Sequence, residues 1–182
     1  VGLYGDLGST STSNIGGIKI FKKSIERAVK ANLRGDNLEN ALGFTAFLRA
    51  NKMQFVRGKG YWQDKLYFLV KYKNDFVCFI LIGAEYPGEA PDRWIIWADN
   101  SGSNCFEDFP LDERMKEIAW ANVDTCGSCG YCGGGTRKTL FGKAFDRVCI
   151  TPMSFLNPDA ETMGFVKKMV AIRKNDILRR IL

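Results

Sequence analysis

The chain has 182 residues, 46% of them hydrophobic and 13% aromatic, which suits one domain whose core needs neither a disulfide nor a metal to form. It contains no histidine, and this excludes Ser-His-Asp and Cys-His catalysis, imidazole general bases and every imidazole-ligated metal site. The net charge of +6 is concentrated: residues 19–34 and 162–182 each hold six basic residues and one acidic residue, leaving 14 basic and 18 acidic residues elsewhere. A basic surplus can draw anions such as nucleic acid from a distance. Here the charges alternate with apolar positions at helical spacing, so they read as the solvated faces of two helices, and nucleic acid is not the expected partner. No apolar run reaches the roughly 18 residues of a membrane span.

In chain order, residues 1–17 are rich in Gly, Ser, Thr and Asn and read as a flexible or docked tail ahead of a single domain over 18–182. Ile18, Phe21, Ile25, Ala28, Val29 and Asn32 recur at helical spacing and predict a first helix ending before Gly35. Asp36, with Glu39 three residues on, has the form of a capping box opening a second helix, whose apolar face is Leu38, Ala41, Leu42, Thr45 and Leu48. Tyr61-Trp62 would begin an early strand. Leu66 to Tyr72 and Phe76 to Ile82 are β-branched and aromatic, and the polar Lys73-Asn74-Asp75 between them predicts a hairpin. Glu85 to Asp92 is a loop punctuated by Pro87, Gly88 and Pro91, and Arg93 to Ala98 is a further strand.

A third helix follows Pro110, with Met115, Ile118, Ala119 and Asn122 on one face. Thr136 to Leu140 and Phe145 to Ile150 read as one more pair of strands. A last helix opens at Asn157 with Pro158 at its first position, and its phase breaks at Lys174-Asn175-Asp176, which predicts a separate turn over Ile177 to Leu182. The fold class expected is α+β: an antiparallel meander packed with helices, with a Cys-rich loop at one end.

That loop is the chemically distinctive feature. Cys126-Gly-Ser-Cys129-Gly-Tyr-Cys132 places a thiol every third residue, with glycines that let the backbone bend inward, and Cys149 lies 17 residues beyond. Four thiolates complete the tetrahedral shell of a structural zinc. The same run resembles iron–sulfur ligation, although the Cys-Pro dipeptide that often accompanies it is absent. Thiols without a metal and a redox-active dithiol are the other readings. Six cysteines, three of them within seven residues, do not resemble a secreted disulfide scaffold, so a reducing cytoplasm is expected. Arg137 and Lys138 beside the loop would favour thiolates. Cys78, inside an apolar strand, reads as core, and Cys105 is close enough in sequence to be a spare ligand of the cluster.

Two further groups stand out. Trp62, Tyr67, Trp94 and Trp97 cluster on the expected sheet, where they would form either covered core or an aromatic-lined site for a small molecule. Trp94 and Trp97 have opposite parity and so point to opposite faces of a regular strand. Glu107-Asp108 and Asp112-Glu113 read as acidic residues that complement a helix dipole.

Trp120-Ala-Asn-Val123, the cysteine run, Leu140-Phe-Gly-Lys-Ala-Phe-Asp-Arg-Val-Cys149 and Asn157-Pro-Asp-Ala-Glu161 together resemble a family of uncharacterised bacterial domains over roughly residues 115–175. The resemblance implies no catalytic residue. It implies only that the cluster and Cys149 form one unit. The chain therefore reads as a small ligand-binding or sensory domain with a structural cysteine metal site. A thiol enzyme or redox sensor using Cys126, Cys129 or Cys132 is the alternative, and nucleic-acid binding through the basic terminal helices is the third.

Overall fold

The computed structural model describes residues 24–58, 65–84, 87–99, 103–127 and 133–182. The expected tail, the first turns of the opening helix at Ile18 and Phe21, the strand at Tyr61-Trp62, and the residues Cys129 and Cys132 lie outside the described residues.

Helix α1 (Ile25–Asn32) starts at Ser24, whose hydroxyl accepts from Arg27 N–H, and buries Ile25, Ala28 and Val29. Helix α2 (Gly35–Ala50) opens one residue before Asp36, and its N-cap, Arg34, makes no side-chain cap. The capping box expected from Asp36 and Glu39 is therefore not the start signal. Gly35 at φ +49 turns the chain out of α1, and Asp92 Oδ1 takes the Arg34 N–H at 2.9 Å. Gly43 does not interrupt this helix.

Strands β1 (Gln54–Arg57), β2 (Leu66–Tyr72), β3 (Asp75–Ile82) and β4 (Trp94–Ala98) form the expected antiparallel meander. Lys73 (φ +48) and Asn74 (φ +72) make the two-residue turn of the β2–β3 hairpin. Positive φ at both central positions matches the right-handed twist of the flanking strands. Beyond β4 the order ceases to be a meander. Helix α3 (Glu113–Ala121), β5 (Val123–Thr125) and β6 (Thr136–Leu140) intervene before β7 (Lys143–Leu156), which pairs with β4, β5 and β6. Val148 has a ladder partner on each side, Thr125 and Thr136. The last residues of β7 pair with β4 instead, Ser154 opposite Trp97. The strand runs well past Ile150, where the sequence pattern ends it. Pro152 is tolerated because it falls in the break of register between Val148 and Met153.

Alternation sorts the sheet into two faces. On one, Phe68, Val70, Cys78, Ile80, Trp94, Ile96, Met153 and Phe155 meet buried residues of all four helices. On the other, Tyr67, Leu81, Ile95 and Trp97 form a second buried cluster, with Leu69 and Phe79 at its margin and no helical residue among them. Helix α4 (Ala160–Arg180) starts at Asp159, not at Asn157, and continues through Lys174-Asn175-Asp176. The phase break does not end it because Arg173 is itself fully buried. Its guanidinium donates to Phe76 O at 3.1 Å and to Asp176 Oδ2 at 2.5 Å, so a charged position serves as core.

The β6–β7 hairpin docks by its tip. Phe141 (φ +51) and Gly142 (φ +82) form its turn, and their N–H groups donate to Phe106 O at 2.7 Å and Glu107 O at 2.8 Å. The Phe141 ring enters the core against Phe106 and Phe165. A non-glycine residue in the left-handed region costs about 1–2 kcal/mol, and burial of a phenylalanine ring offsets it.

Candidate functional site

The short strand β5 ends where the cysteine loop begins. Cys126 N–H donates to Arg147 O at 2.7 Å, extending the β5–β7 ladder by one residue. Cys149 therefore stands two positions along β7 from the residue opposite Cys126. Arg147 takes φ +55 and the register of β7 shifts against both β5 and β6 near it, so the ladder is not regular at this point. Cys126 is buried and Cys149 half-buried.

The loop leaves at Cys126 and returns at Gly135, and these two residues touch. A Cβ built on Gly135 would lie 2.7 Å from Cys126 Cβ and 2.7 Å from Arg147 O, so only glycine fits. Gly133, Gly134 and Gly135 all take positive φ, at 69°, 107° and 78°. Cys129 follows Cys126 by three residues and Cys132 precedes Gly135 by three. Three residues of chain span at most about 10–11 Å. Among the described residues no group of three or more Cys, Asp or Glu side chains is placed to hold a metal ion.

The surroundings of the two described cysteines are charged. Lys138 Nζ, on β6, donates to Cys149 O at 2.9 Å and to Ile150 O at 3.4 Å. Arg147 Nη2 donates to Cys126 O at 3.2 Å. Arg137 points elsewhere, toward Asp146 at 3.8 Å on an exposed surface. Asp124 accepts from Thr151 Oγ1 at 3.2 Å and from the Cys149 thiol, and burial raises its carboxyl above the usual range. Of the remaining cysteines, Cys78 is fully buried in β3, and burial raises its thiol far above the ordinary value. Cys105 is half-buried with its thiol also raised by burial, and takes no part in the cluster.

The four aromatic residues singled out on the sheet do not line one cavity. Trp94 is in the helix-covered core against Phe44, ring centroids 6.2 Å apart. Tyr67 and Trp97 are in the cluster on the opposite face, as their parity requires, and Trp62 lies outside the described residues. A cleft of about 880 Å3 lies elsewhere. It lies where the N-termini of α2 and α4 meet, and Arg34, Asp36, Glu39, Asp92 and Asp159 line it, with no aromatic residue. Asp112 caps α3 by accepting from Met115 N–H at 2.8 Å, so that acidic residue serves the helix start.

Five basic residues of α4, Lys167, Lys168, Arg173, Lys174 and Arg180, are engaged with their own fold. Lys167 lies over Phe47, Lys168 over Phe109 and Lys174 over Tyr72. Arg180 reaches Asp176 and Asp75, at 3.5 and 3.9 Å. No helix among the described residues is long and apolar enough to cross a membrane. Comparison of the chain with protein-family models, with curated proteins and with solved structures finds no match.

Proposed function

We propose that this chain is a small cytoplasmic ligand-binding or sensory domain in which Cys126, Cys129, Cys132 and Cys149 hold one structural metal ion, with zinc as the metal. The observation that carries the metal reading is the seating of Cys126 and Cys149 on hydrogen-bonded strands, together with the contact that closes the loop at Gly135. Ligands at about 2.3 Å from a tetrahedral zinc stand about 3.8 Å apart, sulfur to sulfur. Cys126 and Cys149 would have to bring their sulfurs to that spacing across the irregular end of the β5–β7 ladder. With no histidine in the chain, thiolate is the donor available, and four thiolates leave no open coordination position. The ion would close a loop and tie β5 to β7 without acting on a substrate. The ligand-binding part of the reading rests on Tyr67 and Trp97, whose rings gather away from the helix-packed core.

Elemental analysis of freshly purified protein, with an absorption spectrum, is the test. One equivalent of zinc, released by Cys149→Ser together with a lower melting temperature, is the expected result. Charge-transfer colour and bound iron would replace zinc by an iron–sulfur cluster. Protein purified under reducing conditions that holds no metal would overturn the metal reading. A disulfide within the cluster would then favour the thiol redox alternative.

A further inference from the structure

Strand β1 ends the sheet, and among the described residues it pairs with β2 alone. Gly58 N–H donates to Tyr67 O at 2.9 Å, so these two residues form a hydrogen-bonded pair of the antiparallel ladder. Such pairs alternate with pairs that exchange no bond. In the observed register Val56↔Leu69 and Gln54↔Lys71 are then the bonded pairs, and Phe55↔Val70 and Arg57↔Phe68 are not. The N–H and C=O groups of Phe55 and Arg57 therefore point outward from the sheet, two donors and two acceptors along one edge. Apart from the half-buried Phe55 the strand is exposed, and Val56 is 41% exposed. The side chains at this edge carry one sign of charge. The Arg57 guanidinium lies 5.7 Å from the centre of the Phe68 ring and that of Arg49 lies 4.4 Å from the centre of the Phe55 ring. Lys52 is exposed in the turn that leads into β1. Among the described residues, Glu26, 3.0 Å from Arg49, is the acidic partner of these three cations.

We propose that the open edge of β1 is a docking site for an extended acidic peptide segment, which joins the sheet as an additional antiparallel strand. The outward backbone groups of Phe55 and Arg57 supply the pairing, and the cations select the partner. Successive side chains of an added strand alternate between the two faces of the sheet. The pattern it takes is therefore acidic, apolar, acidic. Carboxylates stand opposite Phe55 and Arg57, on the side of the two guanidinium groups, and a β-branched residue stands opposite the exposed Val56. A second copy of the chain does not fit this edge. Antiparallel pairing of two β1 strands would set Arg57 of one beside Phe55 of the other, where Arg49 already sits, and like charges so placed are destabilising.

The experiment is a fluorescence-anisotropy titration of the full chain with a labelled synthetic peptide, threonine–glutamate–valine–glutamate–threonine, at low ionic strength. Two further peptides serve as controls, one with lysine in place of both glutamates and one with both glutamate amide nitrogens methylated. Saturable binding of the glutamate peptide is expected, and either change in the peptide should weaken it by about tenfold or more. Arg57→Glu should weaken it by about tenfold or more and turn the preference toward the lysine peptide. Arg57→Pro removes an outward donor that the β2 ladder does not use, at an edge position where proline is tolerated, and should abolish binding. If Arg57→Pro fails to fold in urea unfolding, the methylated peptide tests the same hydrogen bonds from the other side. Binding that follows charge but is indifferent to methylation would make the edge a charged surface and no strand acceptor, which overturns the inference. Absence of saturable binding to the parent up to about 1 mM peptide overturns it too. A dimer in sedimentation that Arg57→Glu or Arg57→Pro dissociates would assign the edge to a second copy and overturn it as well.

Discussion

Phe141 separates two energies that ordinarily travel together, and replacing it tests whether the tip of the β6–β7 hairpin is anchored as described. The ring is 2% exposed and packs 5.9 Å from Phe106 and 5.7 Å, edge-on, from Phe165. Truncating such a ring to alanine costs about 3–5 kcal/mol. The backbone at this position is left-handed, φ +51. Alanine keeps that strain, whereas glycine relieves about 1 kcal/mol of it. Phe141→Ala should therefore destabilise the protein by about 3–5 kcal/mol and Phe141→Gly by about 1 kcal/mol less, an inversion of the usual preference for alanine over glycine. Urea unfolding monitored by tryptophan fluorescence measures both, and an unchanged slope against urea shows that the difference lies in stability. A Phe141→Gly protein less stable than Phe141→Ala, or a loss below about 1 kcal/mol in both, would refute the account of a strained residue held by its ring.

Three other changes have defined outcomes. Gly135→Ala adds a methyl group 2.7 Å from a backbone carbonyl and from Cys126 Cβ, at φ +78, whereas Gly134 has nothing within 4 Å of an added Cβ. Gly135→Ala should lower the melting temperature well beyond Gly134→Ala, and equal effects in a thermal scan would contradict the closed loop. Asp176→Asn leaves the fully buried Arg173 without its anionic partner. It should cost about 3 kcal/mol in urea unfolding, and a loss within about 0.5 kcal/mol would show that the guanidinium is not held by that pair. Asp159 accepts from Thr162 N–H at the start of α4, which holds its carboxyl below the ordinary 3.8. Because the folded value is the lower one, the stabilisation is present above pH 3.8 and is lost as the pH falls through the folded value. The gap in melting temperature between the parent and Asp159→Ala should accordingly be present at pH 6 and close on acidification. A gap that widens instead would contradict the cap.

How much of this was legible in the sequence depends on whether the decisive partner was near in the chain. The β2–β3 hairpin was legible because its two strands and its turn are contiguous, and Lys73-Asn74 supplies the polar positive-φ pair such a turn needs. The opposite facing of Trp94 and Trp97 followed from parity alone. Cys78 as core followed from its apolar neighbours. Strand β1 was not legible, since Gln54-Phe55-Val56-Arg57 is short and edge-exposed, and it became a strand only by pairing with Leu66–Tyr72.

The same reasoning separates what the sequence by itself determined from what only the tertiary structure decided. Helix and strand periodicity, turn chemistry and the spacing of the cysteines are local properties, and local energies are enough to specify them. Three residues, Val123–Thr125, carry no periodicity, yet they form β5 because β7 presents an open edge to them. That pairing brings Cys126 alongside the strand that carries Cys149. Helix α4 runs unbroken through Lys174-Asn175-Asp176 because a buried arginine found a carbonyl on β3, at Phe76, nearly a hundred residues away along the chain. Both outcomes are set by groups distant in sequence, whose meeting depends on loop closure and on burial shared across the sheet, and no window of sequence contains those terms.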